Sequence, residues 1–242
     1  MDIAIVLGSS GLLGRVVTDH LMKQNIVVIS VDKNALKLDK NNNQYIFDIS
    51  NLNSQNDFNE FFDYLLKGYS NFNLSLIDCL LLRSKDNKET IKEIHNSLYG
   101  YLTTSITLAK WFGKYCLTND LSASMIMLSS VKGFYAPKFY HYENTNMNSD
   151  VEYGIAKAGI SYAAKDLSVR FKGKVKYNCV APAGIEGENH LKVFLKKYDQ
   201  SCLIKPGLVK PLEIAKLIYL LISPSCPIIG QTIIVDNGWS LT

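Results

Sequence analysis

The regular alternation of short apolar runs with longer helical patterns constrains the fold of this chain more than any other feature. Short runs rich in β-branched residues predict strands, and the amphipathic stretches between them predict helices. Several runs are apolar at nearly every position, which is expected of strands buried on both faces of a sheet. Strands are predicted at Ile3–Leu7, Ile26–Val31, Gln44–Phe47, Leu76–Leu82, Ser124–Leu128, Val175–Cys179 and Thr232–Val235. Helices are predicted at Leu12–Lys23, Asn53–Leu66, Lys88–Tyr115, Val151–Arg170 and Leu212–Ile222.

This order of elements predicts an α/β fold, because helices connect parallel strands by right-handed crossovers. We expect a doubly wound, Rossmann-type parallel sheet of about seven strands, with helices on both faces. Ligands of such sheets bind at the carboxyl ends of the strands. The 242 residues, 47% of them hydrophobic, suffice for a large core, and no linker or internal repeat divides them. Residues 1–242 are therefore predicted to form a single domain.

The composition argues against several classes of partner. The net charge of +4 is too small to indicate a nucleic-acid partner. The five cysteines are an odd number without a Cys-x-x-Cys pair, so we expect no disulfide scaffold, no metal site and a reducing, cytoplasmic compartment. The longest apolar run, Ile214–Ile222, is too short to span a bilayer, and the residues after Met1 do not form a signal-peptide pattern.

Long polar segments interrupt the alternation. Residues 134–150, rich in Tyr, Asn and Ser, predict an insertion loop between a strand and a helix. Residues 183–200 begin with two glycines, become amphipathic over Leu191–Tyr198, and predict a lid over a substrate. The Lys- and Asn-rich segment Lys33–Asn43 predicts a solvated loop. Loops of this length inside a compact domain usually have a function.

A glycine-rich turn joins the first predicted strand to the first predicted helix. Its sequence is Gly8-Ser9-Ser10-Gly11-Leu12-Leu13-Gly14. The first glycine permits a sharp turn, the second lets the backbone approach a pyrophosphate, and the third allows close packing of the helix on the strand. The N–H groups at the start of the helix attract an anion. The spacing alone also occurs in ordinary loops, but the strand before it and the helix after it favour a dinucleotide site.

Asp32 directly follows the second predicted strand, about 20 residues after the glycine turn, as a dinucleotide site requires. A carboxylate there can accept hydrogen bonds from the ribose hydroxyls of NAD and repel the extra phosphate of NADP. The alternative is that Asp32 only caps the junction of strand and loop. We therefore expect NAD as the cofactor, and we leave NADP open because Lys33 could accommodate its extra phosphate.

A second constellation surrounds the start of the predicted helix Val151–Arg170. Tyr153 and Lys157 are four residues apart and therefore share one helix face. A free tyrosine has a pKa of about 10, and a neighbouring ammonium moves the pKa of a phenol toward the range that acid–base catalysis needs. Ser130 follows the strand Ser124–Leu128 at the ligand-binding edge, where its hydroxyl can hold a carbonyl or alcohol oxygen. Each feature alone is common in proteins without catalysis; their combination predicts an active site.

The order of the glycine turn, Ser130, Tyr153 and Lys157 resembles the short-chain dehydrogenase/reductase family of NAD(P)-dependent oxidoreductases. The resemblance extends over nearly the whole chain and includes the closing segment from Gly230 to Trp239. It implies that Asn96 completes a catalytic tetrad by holding the water of a proton relay.

The same resemblance implies further contacts to the cofactor. Asp48 and Ile49 resemble the segment after the third strand whose acid meets the adenine, and residues 182–185 resemble the segment that borders the nicotinamide. The residues expected to bind the cofactor are Gly8, Ser10, Gly11, Leu12, Leu13, Gly14, Asp32, Asp48, Ile49, Tyr153, Lys157, Pro182, Ala183, Gly184 and Ile185.

The chain departs from the family pattern in several places. Its glycine spacing resembles the longer, sugar-nucleotide-modifying branch, whereas its length resembles the shorter branch. Residues 82–85 stand where the family has Asn-Asn-Ala-Gly, and Pro182-Ala183 replaces Pro-Gly. Ser130 and Tyr153 are 23 positions apart, more than is usual, and we expect the extra residues to loop out without separating the catalytic groups.

The insertion resembles that of oxidoreductases encoded with bacterial surface-glycan and flagellin-modification pathways, which implies a sugar-derived substrate, phosphorylated or nucleotide-linked. Arg83 and Lys85, after the predicted fourth strand, are candidates to bind an anionic substrate group, although they could equally be solvated loop charges. His141 is interpreted as a polar loop residue. Tyr142 and Glu143 are candidates to bond sugar hydroxyls.

These observations predict an NAD(P)-dependent oxidoreductase that interconverts an alcohol and a ketone on a small, sugar-derived substrate. A nucleotide-sugar epimerase or dehydratase that retains its NAD is one alternative, favoured by the glycine spacing and opposed by the short chain. A non-catalytic dinucleotide sensor is another, opposed by the intact catalytic set. The predicted helices Lys88–Tyr115 and Val151–Arg170 resemble those that form oligomer interfaces in the family, so we expect a homodimer or homotetramer.

Overall fold

The computed structural model describes residues 1–34, 43–81, 90–187 and 191–242 and contains a seven-stranded sheet. The strands are β1 (Asp2–Leu7), β2 (Val27–Asp32), β3 (Asn43–Ile46), β4 (Asn73–Asp78), β5 (Ala123–Leu128), β6 (Val175–Pro182) and β7 (Thr232–Val235). Their order in the sheet is β3-β2-β1-β4-β5-β6-β7, and neighbouring strands are parallel. The predicted doubly wound α/β fold is confirmed.

Helices cover the sheet on both faces. The α-helices are α1 (Leu12–Lys23), α2 (Gln55–Leu65), α3 (Ile91–Leu98), α4 (Thr104–Thr118), α5 (Val151–Arg170), α6 (Lys192–Gln200) and α7 (Pro211–Ile222). Short 3-10 turns lie at Ile49–Asn51, Val131–Gly133, Phe139–His141 and Trp239–Leu241, and a π-helical turn lies at Tyr99–Thr103. Within the described residues, no helix is both long and apolar enough to cross a membrane.

The strands divide their side chains between two cores because successive residues of a strand point to opposite faces. In β1, Ile3, Ile5 and Leu7 belong to a core that also contains buried residues of α2, α4 and α5. Ala4 and Val6 belong to the other core, which contains buried residues of α1 and α7. Both faces of the central strands are therefore dry, which explains why these strands are apolar throughout.

The chain reverses its direction of winding at β1. From β1 it adds β2 and β3 on one side, and it then returns to add β4 to β7 on the other side. The connections that leave the carboxyl ends of β1 and β4 therefore diverge to opposite faces, and a crevice opens between them. The glycine turn directly follows β1 and lies at this crevice.

The glycine turn packs too tightly for larger residues at two positions. Gly8 has a φ of +74°, and its N–H donates to the carbonyl of Val31 at 2.9 Å. A Cβ atom at Gly14 would lie 2.1 Å from the Gly8 carbonyl oxygen, whereas one at Gly11 would lie 3.3 Å from the same atom. The turn therefore brings the first residues of α1 against the end of β1.

The fourth strand is displaced from its predicted position at Leu76–Leu82. Its pairing with β1 begins at Asp2 and Asn73, which also share a side-chain hydrogen bond of 2.7 Å, and ends at Leu7 and Asp78. The strand ends there because β1 turns away at Gly8 and leaves no partner. The apolar run continues past the strand because residues 79–81 line the cleft described below. Arg83 and Lys85 lie outside the described residues.

The predicted helix Lys88–Tyr115 is present as one run of helical backbone from Ile91 onward, but it is not regular throughout. The first described part, α3, begins after Thr90, whose hydroxyl and backbone form a reciprocal cap with Glu93. The π-helical turn Tyr99–Thr103 then separates α3 from α4. A π turn contains more residues than an α turn, so it rotates the residues before it relative to those after it.

The predicted loops contain more structure than expected. β6 extends to Pro182, so Pro182 ends a strand rather than following one. The described part of the lid at 183–200 contains α6, and the insertion at 134–150 contains the 3-10 turn Phe139–His141. Residues 35–42 of the loop Lys33–Asn43 lie outside the described residues.

The packing of the glycine turn predicts that alanine will affect the free energy of unfolding differently at Gly14 and at Gly11. Alanine normally stabilises a helix relative to glycine, by about 1 kcal/mol. At Gly14, however, the added methyl meets the backbone of Gly8, so we expect Gly14→Ala to lower the free energy of unfolding by about 1–3 kcal/mol in urea denaturation. Gly11→Ala is the control and should change it by less than about 1 kcal/mol. Equal stability of both variants would contradict the close packing.

Candidate functional site

A cleft of about 780 Å³ opens at the carboxyl ends of β1, β4, β5 and β6. The glycine turn forms one end of it, and the 134–150 insertion, α6 and Trp239 form the other. Predicted site residues that line the cleft are Gly11, Leu12, Leu13, Gly14, Ser130, Tyr153, Lys157, Pro182, Ala183, Gly184 and Ile185. The fold therefore brings the predicted dinucleotide turn and the predicted catalytic residues to one cavity.

The start of α1 fits a bound phosphate. Gly11 is the N-cap residue and has no side chain with which to cap α1, so the first backbone N–H groups of the helix suit a bound anion. The absence of a side chain at Gly11, which is exposed beside the cleft, lets a ligand approach the backbone. The chemistry of this turn suits the pyrophosphate of a dinucleotide.

Asp32 binds the glycine turn directly. Its carboxylate accepts hydrogen bonds from the backbone N–H of Ser10 and of Asn34, each at 2.9 Å. The carboxylate thus joins the end of β2 to the turn after β1. The predicted alternative, a cap at the junction of strand and loop, is therefore present, and each carboxylate oxygen keeps a lone pair for another donor.

Several predicted cofactor residues do not line the cleft. The backbone N–H groups of Gly8 and Ser10 donate to the Val31 carbonyl and to the Asp32 carboxylate, and so hold the turn against the end of β2. Asp48 caps the 3-10 turn Ile49–Asn51 by accepting from the N–H and the hydroxyl of Ser50, and these hydrogen bonds lower the pKa of Asp48. Ile49 is buried in the core that contains α2. The structure thus does not bring Asp48 and Ile49 into the cleft.

The two serines after β5 have different roles. The hydroxyl of Ser129 contacts the carbonyl of Lys157 at 2.8 Å and the hydroxyl of Ser161 at 2.7 Å, which ties β5 to α5. Ser130 lines the cleft, with its hydroxyl 3.4 Å from the carbonyl of Pro182 and 3.3 Å from the N–H of Lys132. Both of these contacts are long, so the Ser130 hydroxyl can rotate to bind a ligand oxygen.

Lys157 is held in place at the base of the cleft. Its ammonium donates to the carbonyl of Leu128 at 2.6 Å and lies 5.5 Å from the centroid of the Tyr153 ring. The side chain is buried, which lowers the pKa of Lys157, while the neighbouring Asp78 carboxylate raises it. The arrangement therefore joins the predicted cation to the predicted phenol.

Asp78 is a buried acid that the sequence analysis did not identify. It is 2% exposed at the end of β4 and accepts from the N–H of Leu80 at 3.1 Å. Burial raises the pKa of Asp78, whereas hydrogen bonds from Ser105 and Leu80 and the charge of Lys157 lower it. A lone acid inside an apolar run was the available signal, because an unpaired carboxylate is rarely buried.

Tyr153 stands between aromatic and cationic neighbours in the cleft. Its ring is perpendicular to that of Tyr101, with centroids 5.5 Å apart. The ammonium groups of Lys157 and Lys132 lie 5.5 and 5.8 Å from its centroid. Helix α5 holds this residue at its first turn, half-buried, with its side chain on the wall of the cleft.

Asn96 does not join the predicted tetrad in this geometry. It is exposed on α3 and is not among the residues that line the cleft. Its carbonyl accepts from the N–H of Tyr99 at the end of that helix. The neighbouring Ser97 is fully buried, and Tyr101, beyond the π-helical turn, reaches the cleft instead. The change of helical phase, which the sequence analysis did not anticipate, accounts for the difference.

The 134–150 insertion forms a wall of the cleft instead of looping away from it. His141, Tyr142 and residues 147–150 line the cavity. His141 is 2% exposed, and its Nε2 shares a 2.7 Å hydrogen bond with the hydroxyl of Ser201, which Tyr140 also contacts. His141 is therefore a polar residue of the insertion loop, as interpreted, but it is buried, and the insertion packs on the lid through it.

The described part of the lid is anchored to the same wall. The hydroxyl of Tyr198, on α6, accepts from the N–H of Gly184 at 2.6 Å. Phe194, Tyr198 and Trp239 line the cleft, and Val131 packs with them in a small separate core. Phe194 and Tyr198 could not be recognised as cleft residues from the sequence, because their amphipathic spacing predicts only a packed helix.

The described residues contain no group of three or more His, Cys, Asp or Glu side chains that could hold a metal ion. The polar side chains that line the cleft with Tyr153 include the Ser130 hydroxyl, the ammonium groups of Lys132 and Lys157, and the Asp150 carboxylate. This set of groups suits proton transfer and the binding of oxygen atoms.

Comparison with known proteins identifies the family of this arrangement. A family model described as enoyl-(acyl carrier protein) reductase, one of the short-chain dehydrogenases, matches residues 86–240. The chain belongs to the short-chain dehydrogenase/reductase family. The resemblance inferred from the glycine turn and from Ser130, Tyr153 and Lys157 is thus confirmed.

Individual relatives agree with this family. Post-translational flagellin modification protein A of Campylobacter coli is 36% identical over 159 residues, which cover 64% of this chain and 58% of that protein. A short chain dehydrogenase of Leptospira borgpetersenii with bound NAD+ has a TM-score of 0.82 at 20% identity and covers 99% of this chain and 92% of its own. Aldohexose dehydrogenase of Thermoplasma acidophilum has a TM-score of 0.79 at 19% identity, covering 100% and 94%. The chain spans less than two thirds of the length of the Campylobacter relative.

Burial of His141 predicts a pH-dependent stability. Burial, with Lys138 and Lys197 nearby, lowers the pKa of His141 to about 4 from its ordinary value of 6.5. Its stabilising contribution is complete above pH 6.5 and is lost as the pH falls toward 4, because the unfolded chain binds the proton first. Between pH 7 and pH 5, the wild-type free energy of unfolding should fall by about 1 kcal/mol more than that of His141→Gln, as urea denaturation at both pH values would measure. Parallel losses in the two proteins would contradict this assignment.

Proposed function

We propose that the chain is an NAD-dependent oxidoreductase that interconverts an alcohol and a ketone on a sugar-derived substrate. The observation that carries this proposal is that Ser130, Tyr153 and Lys157 line the same cleft as the glycine turn. A dinucleotide sensor needs the turn but has no use for a hydroxyl, a phenol and an ammonium gathered beside it. The catalytic set therefore favours an enzyme over a binding protein.

The residues around the glycine turn suit a dinucleotide. Gly11–Gly14 would bind the pyrophosphate with their backbone, and Asp32 would accept hydrogen bonds from the adenosine ribose. Pro182–Ile185 and Lys157 would bind the nicotinamide half, since both line the cleft beside Tyr153. When bound, NAD supplies the hydride-transfer chemistry.

The proton chemistry belongs to the side chains of this chain. Tyr153 donates its hydroxyl proton to the carbonyl oxygen of the substrate in reduction and removes the alcohol proton in oxidation. The Ser130 hydroxyl orients the same oxygen. Lys157 stabilises the phenolate of Tyr153 by its charge, and the Asp78 carboxylate favours the charged form of Lys157. Asn96 has no part in these steps, because this residue is exposed and does not line the cleft.

A sugar-derived substrate is supported by the relatives and by the character of the cleft. The curated relative is named for the post-translational modification of flagellin, and one structural neighbour is an aldohexose dehydrogenase. The part of the cleft beyond Tyr153 combines aromatic rings with polar groups, from Tyr142, Phe194 and Tyr198 to Lys132. Such a wall suits a ligand that has both apolar C–H faces and hydroxyls.

A homo-oligomer is supported by an apolar stripe on α5. Val151, Ile155, Tyr162 and Val169 are exposed to between 55% and 79%, and their spacing follows one helix face. A row of exposed apolar side chains on a long helix suits an interface between copies of the chain. We therefore propose that α5 packs against a second copy, as the family resemblance implies.

The test of the proposed activity is NADH absorbance with a panel of sugars and sugar derivatives, in both directions, with NAD and NADP. A net change in NADH that follows substrate over many turnovers supports the proposal. Product that forms at constant absorbance would favour an epimerase or dehydratase that retains its cofactor. Oxidation of NADH by an enoyl thioester and by no sugar would favour the activity in the description of the family model.

Tyr153 is expected to be essential for turnover. Tyr153→Phe removes one oxygen atom, so the fold and the dinucleotide affinity should persist while kcat falls by at least about 100-fold. Steady-state kinetics and NADH titration would measure the two quantities. Tyr64→Phe, which changes an exposed tyrosine on α2 outside the cleft, is the control and should keep the wild-type kcat. A wild-type rate in Tyr153→Phe would remove this residue from the mechanism.

Asp32 is expected to determine the choice of cofactor. Asp32→Asn removes the negative charge but keeps one oxygen acceptor, so repulsion of the extra phosphate of NADP is lost. We expect the ratio of NAD to NADP affinity to fall by roughly tenfold, measured by titration of both cofactors. Asp19→Asn, which removes an exposed carboxylate paired with Lys23, should leave the ratio unchanged. An unaltered ratio in Asp32→Asn would contradict contact with the ribose.

A further inference from the structure

Lys132 is a cleft lysine whose charge is not satisfied by the described protein. It lies in the 3-10 turn after Ser130, is half-buried and lines the cavity. Its ammonium is 5.4 Å from the centroid of the Tyr142 ring and 5.8 Å from that of Tyr153. Among the described residues, no carboxylate or carbonyl binds this ammonium; its contacts there are the faces of these two rings.

Other lysines around the cleft are already bound by protein oxygens. Lys157 donates to the carbonyl of Leu128 at 2.6 Å. Lys138 donates to the backbone carbonyls of Trp239 and Thr242, at 2.9 and 2.8 Å. Lys197 pairs with the Glu143 carboxylate at 3.1 Å and also reaches the carbonyl of Tyr140. These three cations stabilise the walls of the cleft, whereas the charge of Lys132 remains available to a ligand.

The backbone fixes the start of the Lys132 side chain beside the catalytic residues. Its N–H is 3.3 Å from the Ser130 hydroxyl. The next residue, Gly133, packs so closely on α5 that a Cβ there would lie 2.7 Å from the N–H nitrogen of Ala158. The two flanking rings attract the ammonium only weakly, because cation–π contacts at a solvated site are weak. An anion can therefore bind it without breaking a strong contact.

We propose that Lys132 binds an anionic group of the substrate, a phosphate or a carboxylate, while Tyr153 acts on the reacting oxygen. This inference rests on the proposed function, because it assigns the substrate class of the same site. Lysine binds such groups as a compact point charge, with three donors that rotate to meet the anion. Because the Lys132 ammonium lies 5.8 Å from the Tyr153 ring centroid, an anion bound to it would be close enough to the reacting oxygen to belong to the same sugar unit.

The test compares binding of neutral and anionic ligands of one sugar configuration. Glucose, glucose 6-phosphate, glucuronate and inorganic phosphate are titrated calorimetrically into the protein saturated with NADH, so that the glycine turn does not compete for phosphate. The proteins are wild type, Lys132→Met, Lys132→Arg and the control Lys216→Met, which removes a cation on α7 that pairs with Glu213 and does not line the cleft.

We expect wild type to bind at least one of the anionic ligands about 10- to 100-fold more tightly than glucose. Lys132→Met should abolish this preference, Lys132→Arg should retain part of it, and Lys216→Met should stay within about twofold of wild type. Added salt should weaken the anionic ligands more than glucose. Preference for glucose 6-phosphate or for glucuronate identifies the anion as a phosphate or a carboxylate.

Three results would overturn the assignment. The first is that no anionic ligand binds more tightly than glucose, and the second is that Lys132→Met binds these ligands as tightly as wild type. The third is that Lys132→Met slows turnover of neutral and anionic sugars by one common factor, since Lys132 would then act through Tyr153. A preference that depends on Lys132, without any change in NADH, would reject the proposed oxidoreductase activity and leave this inference intact.

Discussion

The hydrogen bond from the Lys157 ammonium to the Leu128 carbonyl fixes the position of the first turns of α5 against the end of β5. Because Lys157 is buried, its ammonium cannot exchange this partner for water, and the contact sets both the height and the rotation of the helix. The Ser129 hydroxyl reinforces it through the carbonyl of Lys157. Tyr153, one turn earlier, is thereby directed to the cleft that Ser130 also lines.

The hydrogen bond from Lys157 to Leu128 joins a buried ammonium whose charge is supported by the nearby buried carboxylate of Asp78. Burial alone would favour a neutral amine at Lys157 and a neutral acid at Asp78, and each charge offsets that effect on the other. Because both groups are buried, the loss of either charge would leave the other with less compensation. We therefore interpret Asp78 as a residue that supports the charge of Lys157 from outside the cleft.

The features that sequence reasoning predicted correctly are those whose contacts are local or periodic. The strands follow from runs of apolar residues, and the glycine turn follows from positions where a Cβ atom would meet the backbone, as at Gly14. Asp32 was predicted to serve either the ribose or the junction of strand and loop. Its carboxylate accepts from Ser10 in the turn, and its remaining lone pairs can still accept from a ribose, so the two interpretations are compatible.

The errors arose where a tertiary contact overrides the local pattern. β4 ends at Asp78 because its partner β1 turns away, although the apolar run continues. The π-helical turn Tyr99–Thr103 changes which side of the preceding helix faces the cleft, and therefore Asn96 is exposed. π-helical turns are rare and occur mostly as single turns inside α-helices, so the periodic pattern of the sequence predicts a regular helix here.

The substrate end of the cleft could not be derived from the sequence for a related reason. His141 meets Ser201 across 60 positions, and Lys138 meets Trp239 across 101. No periodicity connects segments this far apart. The same long-range contacts explain why Lys132 is distinctive: once Lys138 and Lys197 are bound by the backbone and by Glu143, their charges serve to hold the wall. Among the described lysines around this end of the cleft, Lys132 is therefore the one whose ammonium is not bound by a protein oxygen. It lies beside Tyr153, the proposed proton donor.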